Sequence, residues 1–167
     1  MGKLVEKPPL TFNEGLLKEI DLKIVSFSRK YEDRFVRWAM GIVFIWFGIL
    51  KPLGVSPAEG IVSKTSSMVL PFVNPQAMVW FLGIYEVLIG LFLIIKQLNR
   101  LGILMLAFQM PATMLPLLLF PEETFTHIPW GLTLEGQYIV KNFVLMAAAI
   151  VIAGRVRESE GEEKIEN

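Results

Sequence analysis

The sequence predicts an all-α, polytopic membrane protein, a bundle of four transmembrane helices preceded by an N-terminal amphipathic helix at the interface. Three observations carry that expectation. Of 167 residues 53% are apolar, with a mean hydropathy of +0.53, more apolar surface than a small soluble domain can hide. Charge is pushed to the ends: residues 1–37 hold eight Lys/Arg and six Asp/Glu and residues 154–167 hold three and five, while the 116 residues between keep five of each sign. Four apolar stretches fill that middle, at residues 38–53, 77–95, 101–120 and 138–153.

A helix crossing about 30 Å of hydrocarbon needs about 20 residues. The second and third stretches reach that directly. The first has thirteen residues between Arg37 and Lys51, so it spans only with Lys51 inside the membrane region. The fourth must start near Thr133 and carry Lys141 and Asn142 inside. The expected spans are therefore about 34–53, 75–95, 100–120 and 134–154, within a membrane domain over residues 34–154. Residues 1–33 form a cytoplasmic arm and residues 155–167 an acidic, disordered cytoplasmic tail.

Loop charges set the orientation. The N-terminal arm carries eight Lys/Arg, the turn at residues 96–100 two and the tail three; residues 54–76 carry only Lys64, and residues 121–137 none. Thirteen against one, alternating along the chain, places both termini in the cytoplasm. No signal peptide is expected, because residues 1–37 lack a continuous apolar run.

Within the arm, Thr11-Phe12-Asn13-Glu14 fits a capping box. Leu16, Ile20, Ile24, Phe27, Tyr31 and Phe35 then recur every three or four residues, opposite Lys18, Glu19, Lys23, Arg29, Lys30 and Asp33. That pattern fits a helix lying on the cytoplasmic interface, or one docked on a partner. Ser56-Pro57-Ala58-Glu59 is a second capping box, predicting a short outer helix to about Leu70, and Asn74-Pro75 caps the second span. Pro111 and Pro116 predict a kink in the third. Trp80, Trp130 and Tyr138 fit outer-interface anchors and Trp38 an inner one.

The informative residues are those that do not belong in lipid: Lys51, Glu86, Gln109, Lys141 and Asn142. Gly41 and Gly48 are seven apart, with Lys51 three further on. Gly83 and Gly90 are also seven apart, with Glu86 between them. Residues spaced by three, four and seven share a helix face, and small residues let membrane helices approach closely. The glycines thus mark packing faces that carry the charges inward. Gly102, Gln109 and Thr113 share a face of the third span, and Lys141 shares one with Leu145, Ala148 and Ile152. A Glu86–lysine contact is expected, with either Lys51 or Lys141. Interior ion pairs that fix register, a proton- or ligand-handling pocket, and lysines snorkelling to the outer interface all fit this pattern.

The chain has no cysteine and one histidine, His127. That excludes disulfides, thiol redox chemistry, Cys-ligated iron–sulfur clusters and a two-histidine metal or haem site within one chain. No metal or other cofactor held by the chain is expected; quinone or flavin binding needs neither residue type and stays open. His127 reads as a loop histidine, with a metal or proton-relay role as the alternative.

The stretch from Arg37 through Trp38-Ala39-Met40-Gly41-Ile42-Val43-Phe44-Ile45-Trp46-Phe47-Gly48-Ile49-Leu50 to Lys51 resembles the first helix of DoxX-like membrane proteins. Gly83-Ile84-Tyr85-Glu86 with Gly90 is similar to their second helix, and Leu134-Glu135-Gly136-Gln137-Tyr138-Ile139-Val140-Lys141-Asn142 to the start of the fourth in one branch. The resemblance covers residues 34–154 and matches at Arg37, Gly48, Lys51, Glu86, Lys141 and Asn142. It implies a four-helix inner-membrane protein of a family associated with thiosulfate:quinone oxidoreduction and oxidative-stress systems.

Two function classes follow. The first is a non-metal membrane subunit of a redox or stress-response complex, binding quinone or partner subunits as well as the lipid bilayer. The alternative is a small proton-coupled transporter or carrier built around Glu86 and the interior lysines, with a homo-oligomer as one way to enclose a path. An enzyme acting on a lipid-soluble substrate has no supporting Ser/His/Asp set, nucleotide loop or metal motif. Nucleic acid is not an expected partner, since the basic residues of the arm alternate with acids.

Overall fold

The computed structural model describes the backbone of residues 12–165 and the side chains of residues 15–155. Thr11, the expected cap of the first helix, lies outside the described residues. Helix α1 runs over Phe12–Leu50, and the chain divides into two compact units at Phe35/Val36. In the first unit the helix is solvent-facing from residue 15 to residue 30 on every side, with Leu17, Ile24 and Phe27 among its exposed apolar residues. Its surface carries an i,i+4 pair, Glu19 with Lys23 at 2.8 Å, worth a few tenths of a kcal/mol at about that exposure.

The second unit holds the rest: α2 (Glu59–Val69), α3 (Pro75–Ile94), a 3-10 turn (Lys96–Leu98), α4 (Asn99–Leu119), α5 (Pro121–Thr124), a two-stranded antiparallel hairpin of β1 (Phe125–His127) and β2 (Gly131–Leu132), α6 (Leu134–Val140) and α7 (Asn142–Ile165). Three segments among the described residues are long and apolar enough to cross a membrane, Pro75–Ile94, Lys96–Leu119 and Leu134–Arg155. The first expected span, in the second half of α1, does not reach that length without charge: Asp33, Arg34 and Arg37 crowd one end and the helix stops at Leu50 on the other.

Local signals explain most boundaries. The Asn74 side chain accepts from the Gln76 and Ala77 N–H groups at 2.9 and 3.4 Å, with Pro75 at the first helical position, so α3 starts where expected. The start of α2 differs. Ser56 Oγ accepts only the Ala58 N–H, at 3.3 Å, and the helix begins at Glu59 with Ala58 as an uncapped N-cap. Helix α4 continues through both Pro111 and Pro116. Helix α7 passes Gly154 and reaches Ile165, so the backbone is helical over residues 155–165, where the acidic composition predicts disorder. Glu, Arg and Lys are good helix formers and extend a helix already nucleated by the last span.

The core draws on four helices: Met40 and Phe44 from α1, Ile89 and Leu93 from α3, Leu106 and Met110 from α4, and Ala149 and Ile152 from α7. Large apolar side chains point the other way as well, with Phe108 81%, Leu118 80% and Ile150 71% exposed. In water that surface would be a large aggregation-prone patch; facing hydrocarbon it matches its surroundings. The protein is a multi-pass, all-α membrane protein.

Glycines hold α1 against α3. A Cβ on Gly41 would lie 2.8 Å from the Gly90 carbonyl oxygen and one on Gly48 2.7 Å from that of Gly83. In the reverse direction the distances are 2.5 Å from Gly90 to the Gly41 oxygen and 2.7 Å from Gly83 to the Gly48 oxygen. The two backbones therefore meet at two levels, one helical repeat of seven residues apart, with no room for a side chain at either. Without a hydrophobic force between helices in lipid, such close contact is the main attraction available.

Candidate functional site

Glu86 sits on the buried stripe of α3 together with Val79, Gly83, Ile89, Gly90 and Leu93. The spacing of three and four that hides the glycines therefore hides the carboxylate too. Across the seam α1 ends at Leu50, and Lys51 opens a turn closed by Gly54. The Gly54 N–H donates to the Lys51 carbonyl at 3.1 Å, and its φ of +68° is one that only glycine adopts at little cost. Ending the helix there leaves the Lys51 side chain inside the bundle. Its Nζ donates to Glu86 Oε2 at 2.5 Å and reaches the Phe47 carbonyl at 3.5 Å.

The third member comes from α4. Gln109 Nε2 donates to Glu86 Oε1 at 3.1 Å, so one carboxylate oxygen meets a cation and the other an amide. Lys51, Glu86 and Gln109 are 4, 9 and 5% exposed. An unpaired charge at this depth would cost several kcal/mol at about the scale measured for membrane insertion. The pair itself adds little net stability, because desolvation offsets the attraction, but each partner depends on the other.

A second polar pair lies beside the first. Asn142 opens α7 and donates from Nδ2 to Thr113 Oγ1 at 3.3 Å, and Thr113 in turn donates to the Met110 carbonyl at 2.8 Å. Glu86, Gln109, Thr113 and Asn142 together make the polar wall of a cavity of about 70 Å³, whose apolar wall includes Val43, Phe44, Phe47 and Leu145. That volume admits a few waters or one small head group. Between α6, which ends at Val140, and α7, which starts at Asn142, the chain stays helical in conformation: the Lys141 N–H donates to the Gln137 carbonyl at 3.1 Å, and the Val144 N–H to the Lys141 carbonyl at 3.0 Å.

One expectation is corrected here. Lys141 does not join the cluster: it is exposed, with Nζ 3.7 Å from the centroid of the Tyr138 ring, a cation–π contact worth about 0.5–1 kcal/mol at an exposed site. The inward stripe of this segment runs through Ile139, Asn142, Leu145, Met146, Ala149 and Ile152, at spacings of three and four, and Lys141 stands one position off it. Of the five polar residues singled out, Lys51, Glu86 and Gln109 touch one another. Asn142 borders the same cavity through Thr113, and Lys141 stands apart. His127 is exposed on β1.

Two buried features escaped the sequence reading. Asn99 is 1% exposed; with its amide turned so that both ends find partners, the oxygen accepts from Arg37 Nη1 and the nitrogen donates to the Leu93 carbonyl at 2.7 Å. The charge of Lys96 and Arg100 marks a basic turn there, yet Asn99, Gly102, Leu106 and Gln109 are spaced three, four and three, the buried stripe of α4. Thr124 is fully buried, and a Cβ on Gly136 would collide with its carbonyl oxygen. Thr133 Oγ1 accepts the Gly136 N–H at 3.1 Å and so caps α6, pinning the Glu135-Gly136 step against the short α5.

The DoxX family model matches residues 33–119. The matched region includes the Arg37–Lys51 segment and the Gly83–Glu86–Gly90 segment and ends before the Leu134–Asn142 segment. No curated protein and no solved structure matches the chain. With just over half of its length under that match, the chain belongs to the DoxX family.

Proposed function

We propose that this protein is a four-span inner-membrane subunit of a redox or oxidative-stress system, without a metal of its own, whose polar cavity receives the head of a lipid-soluble carrier such as a quinone. The observation that carries the reading is the cavity itself. Hydrogen-bonding side chains from α3, α4 and α7 converge on one wall, and phenylalanine and aliphatic side chains form the other. An amphipathic ring or head with an apolar tail suits that division. Protein purified from native membranes is expected to carry quinone in its lipid extract above the level of matched empty membranes, or to bring oxidoreductase subunits with it. Finding neither would sink the reading.

A second reading, a small proton-coupled carrier, is favoured by the size of the cavity, which suits water beside a buried carboxylate. Liposome flux that disappears in Glu86→Gln, while the protein stays folded, would select it.

The four-span count rests on the glycine contacts that seat the second half of α1 against α3, and the orientation on the thirteen-to-one Lys/Arg asymmetry. The N-terminal arm, with its apolar side chains and interleaved Lys18, Lys23, Arg29 and Lys30, associates with the anionic cytoplasmic leaflet. Because the chain has no native cysteine, single-cysteine variants report topology cleanly. Ser67→Cys and Thr126→Cys should react with an impermeant thiol reagent added to intact cells, and Gln97→Cys should not. The reverse pattern would invert the orientation.

A further inference from the structure

The side of the last span that faces away from the bundle carries a polar group of its own. The chain stays helical from Leu134 through Lys141 into α7. Gln137 and Tyr138, four and three residues before Lys141, therefore flank it on one side. All three are exposed. Lys141 lies within the apolar segment Leu134–Arg155, about 10 Å in from Leu134 at helical rise. Its side chain turns back toward the hairpin end, with Nζ 3.7 Å from the ring centroid of Tyr138, one turn nearer that end. The ring covers one side of the ammonium. None of the three side chains has a hydrogen-bond acceptor among the described residues.

A cation with open N–H groups is costly where its surroundings are lipid, so the acceptor comes from outside the chain and is anionic. Glu135, the one acid of the segment, is six residues from Lys141 and lies on another face. A second copy set on this face by a two-fold axis would bring its own Lys141 toward this one, like charge against like. A phospholipid meets no such conflict, because its phosphodiester sits at the level toward which the lysine turns. Deeper in, the same face continues through Val144, Ala148 and Val151, an apolar track on which an acyl chain can lie. We infer that this face is a phospholipid site in the leaflet at the hairpin end: Lys141, Tyr138 and Gln137 donate to the phosphate, and one acyl chain follows the track below. The site is separate from the cavity and does not depend on what occupies it.

The chain has no native cysteine, so a single reporter reads one lipid-facing position. In the full chain reconstituted into phosphatidylcholine bilayers, Val144→Cys carrying a bimane reports the lipid beside Lys141 through quenching by tail-brominated lipids. Brominated phosphatidylglycerol should be enriched there over brominated diacylglycerol, which has the tails and no phosphate. The expected ratio is on the order of tenfold, that of one charge-assisted hydrogen bond. Lys141→Met should bring it to about one, while Lys141→Arg, which keeps a cation, should retain it. Thermal unfolding checks that each variant is folded, and Lys141→Gln replaces Lys141→Met if that one is not. The same reporter at Phe108, 81% exposed on α4, should show no preference. Enrichment at Val144 that needs a cation at position 141 supports the inference. Equal quenching by the two lipids, the same preference at Phe108, or an enrichment that survives Lys141→Met overturns it. So does a Val144 reporter that no brominated lipid quenches, brominated phosphatidylcholine included, because a second copy then covers the face.

Discussion

Glu86→Leu should cost about 3–5 kcal/mol of stability if the soluble-protein scale for breaking one side of a buried ion pair applies, and somewhat less in a membrane. The substitution leaves the Lys51 ammonium at 4% exposure with one long contact, to the Phe47 carbonyl at 3.5 Å, and takes the acceptor from Gln109 Nε2 as well. Glu86→Gln should be milder, because an amide oxygen still accepts from one of the two donors. Adding Lys51→Met to Glu86→Gln should recover much of the loss by removing the orphaned charge. Adding Lys141→Met should recover none of it, since that lysine lies over Tyr138 and not at the cluster. Thermal unfolding in detergent across these variants is the measurement. Glu86→Leu as stable as the parent, or rescue by Lys141→Met in place of Lys51→Met, would remove the pair from its assigned place.

The order in which these residues became legible follows the physics that positions them. Gly41, Gly48, Gly83 and Gly90 could be read directly, because a seven-residue spacing stays on one face of any unbroken helix and small residues have a clear role in lipid. Glu86 and Gln109 could be read for a complementary reason, since polar groups at that depth are costly and turn inward. The partner lysine could not. Lys51 and Lys141 sit at similar depth by residue count, and what separates them is a turn closed by Gly54 after one helix and one position of helix phase in the other, where Lys141 lies beside the stripe of Ile139, Asn142, Leu145, Ala149 and Ile152. Helical periodicity carries no information about the turn, and an offset of one position lies within the width of an inward helix face. Asn99 was hidden by its neighbours, Lys96 and Arg100, whose charge drew the segment into a loop reading, although its spacing to Gly102 and Leu106 already placed it on the buried stripe. The first span is the hardest case. Its length is set by where Arg37 and Lys51 end up, and Lys51 is buried by a partner that lies 35 residues further along the chain.

Gly90→Ala should be strongly destabilising although it adds a single methyl group. That Cβ would lie 2.5 Å from the Gly41 carbonyl oxygen and 2.9 Å from the Ile45 backbone nitrogen. Neither atom can swing aside as a side-chain tip could, so α1 and α3 must separate. Overpacking of this kind costs about 1–3 kcal/mol and occasionally more, against a gain in helix propensity of about 1 kcal/mol at most. Gly83→Ala meets the Gly48 carbonyl oxygen at 2.7 Å and Lys51 Cβ at 2.9 Å. It adds a second consequence, because the same displacement that relieves the clash pulls Lys51 away from Glu86. The pair of variants therefore separates packing from the site: both should lower the unfolding temperature in detergent, while Gly83→Ala should also impair whatever binding the cavity supports. Gly60→Ala is the internal control. Gly60 lies within α2 with nothing within 4 Å of its added Cβ, so the substitution should be neutral or raise stability by up to about 1 kcal/mol through helix propensity alone. If Gly90→Ala proved as harmless as Gly60→Ala, the two helices would not be in backbone contact, and the membrane-spanning assignment of the second half of α1 would lose its support.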